Sequence, residues 1–82
     1  MNARVNIEYD YSKLKGRITE KLGTQHAFAK AMGMSERTCT LKLNNRAHFT
    51  QPEIHRACKP DILDIECVDI PAYFFTLKVQ SA

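Results

Sequence analysis

The chain has 82 residues and a formal net charge of +3, from 12 Lys and Arg against 9 Asp and Glu. This length supports a single hydrophobic core, and 44% hydrophobic with 26% charged residues is typical of a folded domain. No apolar run approaches the roughly 18 residues of a membrane-spanning helix, and the N-terminus shows no apolar signal segment. We therefore expect one domain, residues 1–82, located in the cytoplasm and without membrane contact.

The charge is unevenly distributed. Residues 1–59 hold 11 Lys and Arg against 5 Asp and Glu, a net charge of +6. Residues 60–82 hold 1 against 4, a net charge of −3. A basic part followed by an acidic part suits a domain that presents one face to phosphates.

Catalytic and metal-binding chemistry find little support. The three cysteines, Cys39, Cys58 and Cys67, are odd in number, form no CxxC motif and lie at unequal spacings, and no histidine pair has a usual zinc spacing. No glycine-rich phosphate loop, HExxH motif or nucleophile elbow occurs. We expect reduced, mostly buried thiols, no metal, no cofactor, no small-molecule substrate and no enzymatic activity.

A short strand arm is predicted over residues 1–9, because Val5, Ile7 and Tyr9 alternate with polar residues. A helical core, residues 10–65, follows it. Asp10 or Ser12 is placed to cap a first helix whose apolar face repeats every four residues, at Leu14, Ile18 and Leu22.

Residues 25–43 predict two short helices joined by a tight turn at Gly33, where the chain needs a positive φ. Thr24 caps the first helix and Ser35 the second, which runs from Glu36 to about Asn44. The expected buried residues of the first helix are Ala27, Phe28, Ala29, Ala31 and Met32. Those of the second are Cys39 and Leu43.

The fourth helix begins at a capping box formed by Thr50 and Glu53, and Pro60 ends it near Cys58. Its expected buried residues are Ile54, Ala57 and Cys58, with Ile62, Leu63 and Ile65 packing irregularly after it. Residues 66–82 predict a short helical turn, from Asp69 to Phe74, and then a second strand with Phe75, Leu77 and Val79 on one side. Pairing of the two terminal strands satisfies their backbone groups, and either pairing within one chain or pairing across a dimer fits the sequence.

With Cys39 and Leu43 facing inward, the third helix presents a polar stripe suited to a major groove about 12 Å wide. The candidates for reading bases are Glu36, Arg37, Thr40, Leu41 and Asn44. Arg37 is the foremost of them, since a guanidinium grips guanine O6 and N7 together. The candidate phosphate contacts around this stripe are Gln25, Ser35, Lys42, Asn45 and Arg46. The simpler alternative is that these charged residues are only solvated, and Glu36 also favours the positive end of the helix dipole.

At these residues the sequence resembles the Cro/C1-type superfamily of helix-turn-helix repressors, through Gln25, Ala29, Gly33, Met34, Ser35, Thr38 and Cys39. It is further similar to small phage-encoded Cro-like repressors of Gram-positive hosts, through YDYSKLKGRI, GTQHAFAKAMGMSERT, LKLNN, FTQPEI and YFFTLKVQ. The resemblance implies a mainly α, lambda-repressor-like domain of four to five short helices. It also implies a homodimer that binds double-stranded operator DNA and regulates transcription.

Two hypotheses follow. In the first, the chain is a sequence-specific DNA-binding repressor whose third helix enters the major groove. In the second, it is an antirepressor of the same fold that uses the aromatic C-terminus, Tyr73, Phe74 and Phe75, to bind another repressor. The alternative role for those aromatic residues is to complete the small core.

Overall fold

The computed structural model describes residues 7–78, and this part of the chain is mainly helical. Five α-helices follow one another: α1 Ser12–Leu22, α2 Gln25–Met32, α3 Glu36–Leu43, α4 Gln51–Ala57 and α5 Ile70–Phe74. A single 3₁₀ turn, Cys67–Asp69, leads into α5. The expected mainly α domain of four to five short helices is confirmed.

The first three helices build the core because each buries one apolar stripe. Leu14 and Ile18 of α1 are buried, four residues apart, against Phe28 and Met32 of α2. Cys39 and Leu43 bring the inner face of α3 to the same cluster. Leu22, the third member of the predicted stripe of α1, is only half-buried.

The turn between α2 and α3 forms as the sequence predicts. Gly33 takes a left-handed conformation with φ 72°, and its N–H donates to the carbonyl of Lys30. Arg56 of α4 donates from Nη1 to the carbonyl of Met32 at 3.0 Å, which satisfies another group at the end of α2. Thr24 and Ser35 cap α2 and α3 through their side-chain oxygens, as predicted.

Ala31, which was expected to be buried, and Lys42, which was expected to contact phosphate from the surface, have environments that differ from these expectations. Ala31 is exposed, because it is rotated away from the face that Phe28 and Met32 define. Lys42 is buried, because it lies three residues after Cys39 and next to Leu43 and therefore shares their inward side.

The capping box of α4 is present in full: Thr50 accepts from the N–H of Glu53, and the carboxylate of Glu53 accepts from the N–H of Thr50. The helix ends at Ala57, shortly before Pro60, as predicted. The irregular segment that follows buries its three apolar residues, Ile62, Leu63 and Ile65. Arg17 of α1 fastens this segment by donating to the carbonyls of Leu63 and Asp64.

The two ends of the described chain meet within one molecule. Tyr9 and Leu77 form an isolated antiparallel bridge, flanked by bonds from Asp10 N–H to Thr76 O at 2.7 Å and from Lys78 N–H to Glu8 O at 2.9 Å. Among residues 7–78 this bridge is all that the predicted terminal strands form. The outer predicted strand residues, Val5 and Val79, lie outside the described part.

Two glycine-to-alanine substitutions should change stability in opposite directions. Gly33→Ala places a Cβ on a residue with φ 72°, which costs about 1 to 2 kcal/mol. Gly16→Ala in the middle of α1 meets nothing within 4 Å and should gain about 0.5 to 1 kcal/mol. Urea unfolding followed by circular dichroism measures both. If both substitutions changed the free energy of unfolding in the same direction, the assignment of Gly33 to a turn that requires glycine would be contradicted.

Candidate functional site

The outer side of α3 forms the first candidate surface. Glu36, Arg37 and Thr40 are exposed and Leu41 is half-buried, and the four residues line one shallow, open groove. Asn44, which caps the end of α3, is also exposed. The side chains predicted to read bases therefore lie together on the surface, where their contact with DNA stays a prediction.

A carboxylate sits at the start of this surface. Glu36 Oε2 lies 3.3 Å from Nδ1 of His26 on α2, and both side chains are well exposed. An exposed pair of this kind contributes little stability. Its consequence is electrostatic, because a negative charge on the leading turn of α3 opposes the approach of phosphates.

The residues predicted to bind phosphate divide into an exposed group, Gln25, Ser35 and Arg46, and a group whose side chains bond within the protein, Lys42 and Asn45. Gln25 begins α2 and is exposed, and Arg46 is exposed after α3. Ser35 is exposed too, but its hydroxyl oxygen already caps α3 by accepting from Thr38 N–H at 3.1 Å.

Lys42 does not belong with the surface phosphate contacts that the sequence predicts. Its side chain is 9% exposed, and Nζ donates to the carbonyl of His48 at 2.7 Å. The same Nζ lies 2.9 Å from Glu53 Oε1 and 5.9 Å from the centroid of the Phe49 ring. Its ammonium therefore joins α3 to α4 and to the connecting loop inside the protein.

Asn45 is likewise occupied by the protein itself. It adopts φ 63°, and its side chain bonds the backbone of Tyr9 twice: Oδ1 accepts from Tyr9 N–H at 2.8 Å and Nδ2 donates to Tyr9 O at 2.9 Å. The side-chain amide thus takes the place of a neighbouring strand at the edge of the terminal bridge. A phosphate contact through this amide would cost both bonds.

A second candidate surface surrounds an open cavity of about 180 Å³, which no pattern in the sequence predicts. Aromatic side chains from both ends of the chain and from the α3–α4 loop dominate its lining, which comprises Tyr9, Tyr11, His48, Phe49, Ile54, Phe74 and Phe75. Neighbouring rings meet edge to face, with 5.7 Å between the Tyr11 and Phe49 centroids and 5.4 Å between those of Phe49 and Phe74. We call this feature the aromatic cavity.

Exposed apolar side chains occur around the terminal bridge, and one of them, Phe75, also lines the aromatic cavity. Phe75 is 48% exposed and packs edge to face on Tyr9 at 5.8 Å. Leu77, across the terminal bridge from Tyr9, is 61% exposed, and Ile7 is 55% exposed. We call Ile7, Phe75 and Leu77 the apolar rim.

The three C-terminal aromatic residues have different environments. Phe74 is fully buried and completes the core, as the simpler alternative predicts. Tyr73 is half-buried, with the ammonium of Lys13 4.9 Å from its ring centroid. Phe75 alone of the three has an exposed ring, so it is the one available to a partner.

The three thiols lie in different environments. Cys39 is buried and Cys58 is half-buried, and burial raises the pKa of both thiols. Cys67 is exposed, which differs from the expectation of mostly buried thiols only at that position. Within residues 7–78, no three His, Cys, Asp or Glu side chains are grouped to hold a metal ion, and no helix is long and apolar enough to cross a membrane.

Fold and surfaces together define a small helical domain in which a glycine turn joins α2 to α3 and in which the α3 surface and the aromatic cavity are separate. The chain belongs to a family described as a protein of unknown function, DUF739, whose model matches residues 7–77. No curated protein matches it.

A solved structure adds a specific relative: the solution structure of the modulator of repression of the temperate bacteriophage TP901-1 from Lactococcus lactis. This chain is 53% identical to it, with a TM-score of 0.73 over 88% of this chain and 95% of that one. The expected likeness to small phage regulators therefore rests on a relative whose name describes modulation of repression, not a Cro-type repressor.

Glu53 should make stability depend on pH. Burial opposes ionisation of its carboxyl, but hydrogen bonds from Lys42 and from the Thr50 N–H outweigh it and lower the pKa of Glu53 below its ordinary 4.5. A lowered folded-state pKa stabilises the protein above the unfolded-state pKa, and this contribution is lost as pH falls through the folded-state value. Urea unfolding of wild type and Glu53→Gln should therefore differ most near pH 7 and converge below pH 4.5. A difference independent of pH would contradict this role for the carboxylate.

Proposed function

We propose that this chain is a protein-interaction module that binds a repressor protein and modulates its action, as an antirepressor does. One observation carries the proposal: an aromatic cavity open to solvent, whose lining includes the exposed ring of Phe75 from the apolar rim. The 53% identity to a phage modulator of repression supports the choice of a repressor as the partner.

The physical argument begins with the exposed apolar area. Ile7, Phe75 and Leu77 are large apolar side chains that stay about half exposed or more in the folded chain. Phe75 also lines a cavity whose walls are mostly aromatic. Exposed apolar side chains beside an aromatic cavity are typical of protein interfaces, where aromatic anchors contribute much of the binding energy. Contact with the repressor through this surface would keep the repressor from its operator or from its partner molecules.

The outer side of α3 supports DNA binding less strongly than the sequence alone suggested. Lys42 and Asn45 are committed inside the protein, and Glu36 adds a negative charge. Each phosphate contact that is lost reduces the salt dependence of DNA binding by about 0.9. The electrostatic attraction that remains rests on Arg37 and Arg46, with Lys30 nearby on α2.

Removing the exposed ring should weaken the complex with the repressor encoded in the same genome. Phe75→Ala deletes a partly exposed aromatic anchor and should raise Kd by about tenfold or more, measured by isothermal titration calorimetry. Val68→Ala is the matched control, since Val68 is 80% exposed but lies outside the aromatic cavity and the apolar rim. Equal losses for both variants, or no binding by wild type, would refute the proposal.

Operator DNA is the second candidate partner, and the helix-turn-helix arrangement with Arg37 and Thr40 exposed on α3 favours it. In this function two copies would place their α3 helices in successive major grooves, about 34 Å apart. Base readout would use Arg37 above all, with Glu36, Thr40, Leu41 and Asn44 around it. Gln25, Ser35 and Arg46 would contact phosphates.

Fluorescence anisotropy with operator and random duplexes tests this second function. Arg37→Ala should reduce discrimination between the two by about 1 to 3 kcal/mol. Arg46→Ala should weaken both complexes alike and lower the salt slope by about one contact. An affinity for DNA that is absent, or that barely changes with salt, would exclude DNA as the partner and leave the interaction module.

A further inference from the structure

Lys42 belongs to α3, yet its ammonium contacts the loop between α3 and α4 and the first turn of α4. Nζ donates to the backbone carbonyl of His48 at 2.7 Å and lies 5.9 Å from the centroid of the Phe49 ring. His48 and Phe49 together form one wall of the aromatic cavity. Glu53 Oε1, 2.9 Å away, holds the ammonium from α4.

The loop that carries this wall is fixed at both of its ends. Arg46 N–H donates to the carbonyl of Leu41 at the α3 end, and the capping box of Thr50 and Glu53 fixes the α4 end. Between these points, the Lys42 ammonium bonds the backbone of the cavity wall directly. A wall fixed in advance lowers the entropy that a partner must spend on binding.

We propose that Lys42 is a positioning residue for the aromatic cavity: it holds the His48–Phe49 wall in place, so that the cavity is open before a partner arrives. This inference rests on the proposed function, because it assigns a role to Lys42 in the surface that binds the repressor. A positioning role differs from a role in stability alone, because it changes the shape of the cavity without changing the free energy of unfolding. A buried ion pair replaced by apolar or neutral residues of similar shape often leaves stability unchanged.

The double variant Lys42→Met/Glu53→Gln separates the two roles. Methionine retains the length of the buried stem, and glutamine retains an acceptor for the capping box, so neither variant residue leaves a lone buried charge. Lys59→Met is the matched control, since Lys59 is exposed and lies in the turn after α4. Glu53→Gln alone keeps the ammonium bonded to His48. The affinity of its cavity for a small-molecule probe should therefore lie between the affinities of wild type and the double variant.

Benzene is the probe, because an apolar cavity of about 150 Å³ is large enough to bind it. Titration followed by the methyl resonances of Ile54, which lines the cavity, gives the benzene affinity of each variant. We expect the double variant to bind benzene about tenfold more weakly than wild type with nearly the same unfolding midpoint. The control should match wild type in both.

Equal benzene affinity in wild type and the double variant would overturn the inference. Loss of folding in the double variant would overturn it too, because Lys42 would then be required for stability rather than for the shape of the cavity. The measurement contains no repressor. A failure of the proposed function therefore shows separately, as absence of repressor binding by a wild-type protein whose cavity still binds benzene.

Discussion

Closure of the two chain ends is the constraint on which the aromatic surface depends. The Tyr9–Leu77 bridge brings an N-terminal and a C-terminal segment together, and the side-chain amide of Asn45 fixes the outer edge of that bridge. This arrangement places Tyr9 against Phe75 and next to Tyr11. Rings that are some 65 residues apart in the sequence thus line one cavity, and without the bridge there would be no common wall for them.

The third helix has two sides with different tasks. Its inner side carries Cys39 and Leu43 into the core, and Lys42 extends from the same side to the loop that forms the cavity wall. Its outer side keeps Arg37 and Thr40 exposed in an open groove. The packed pair of α2 and α3 can therefore occur in a protein whose strongest candidate interface lies elsewhere, because the packing of α2 on α3 is independent of what their outer sides contact.

Local signals predicted the helix ends well, because each depends on a few neighbouring residues. Thr24, Ser35 and Thr50 cap their helices through bonds to residues three positions away, and Gly33 supplies the positive φ of the turn. Burial was harder to predict at the edge of a stripe. Ala31 is exposed and Lys42 is buried, the reverse of what their residue types favour, because the rotation of the helix sets the direction of each side chain.

The sequence by itself determined the helical order, the caps of α2, α3 and α4, the turn at Gly33, the end of α4 before Pro60 and the outward position of Arg37 and Thr40. These features arise from contacts within one or two helical turns. The predicted cap of α1 at Asp10 or Ser12 is wrong, because Tyr11 occupies the cap position without a side-chain bond. Only the tertiary structure decided that Lys42 and Asn45 bond inside the protein and that Phe74 is buried while Phe75 is exposed. The aromatic cavity likewise depends on the tertiary structure alone, because the segments that line it are far apart in the sequence. Packing of the whole chain brings them together, and no pattern of neighbouring residues predicts this.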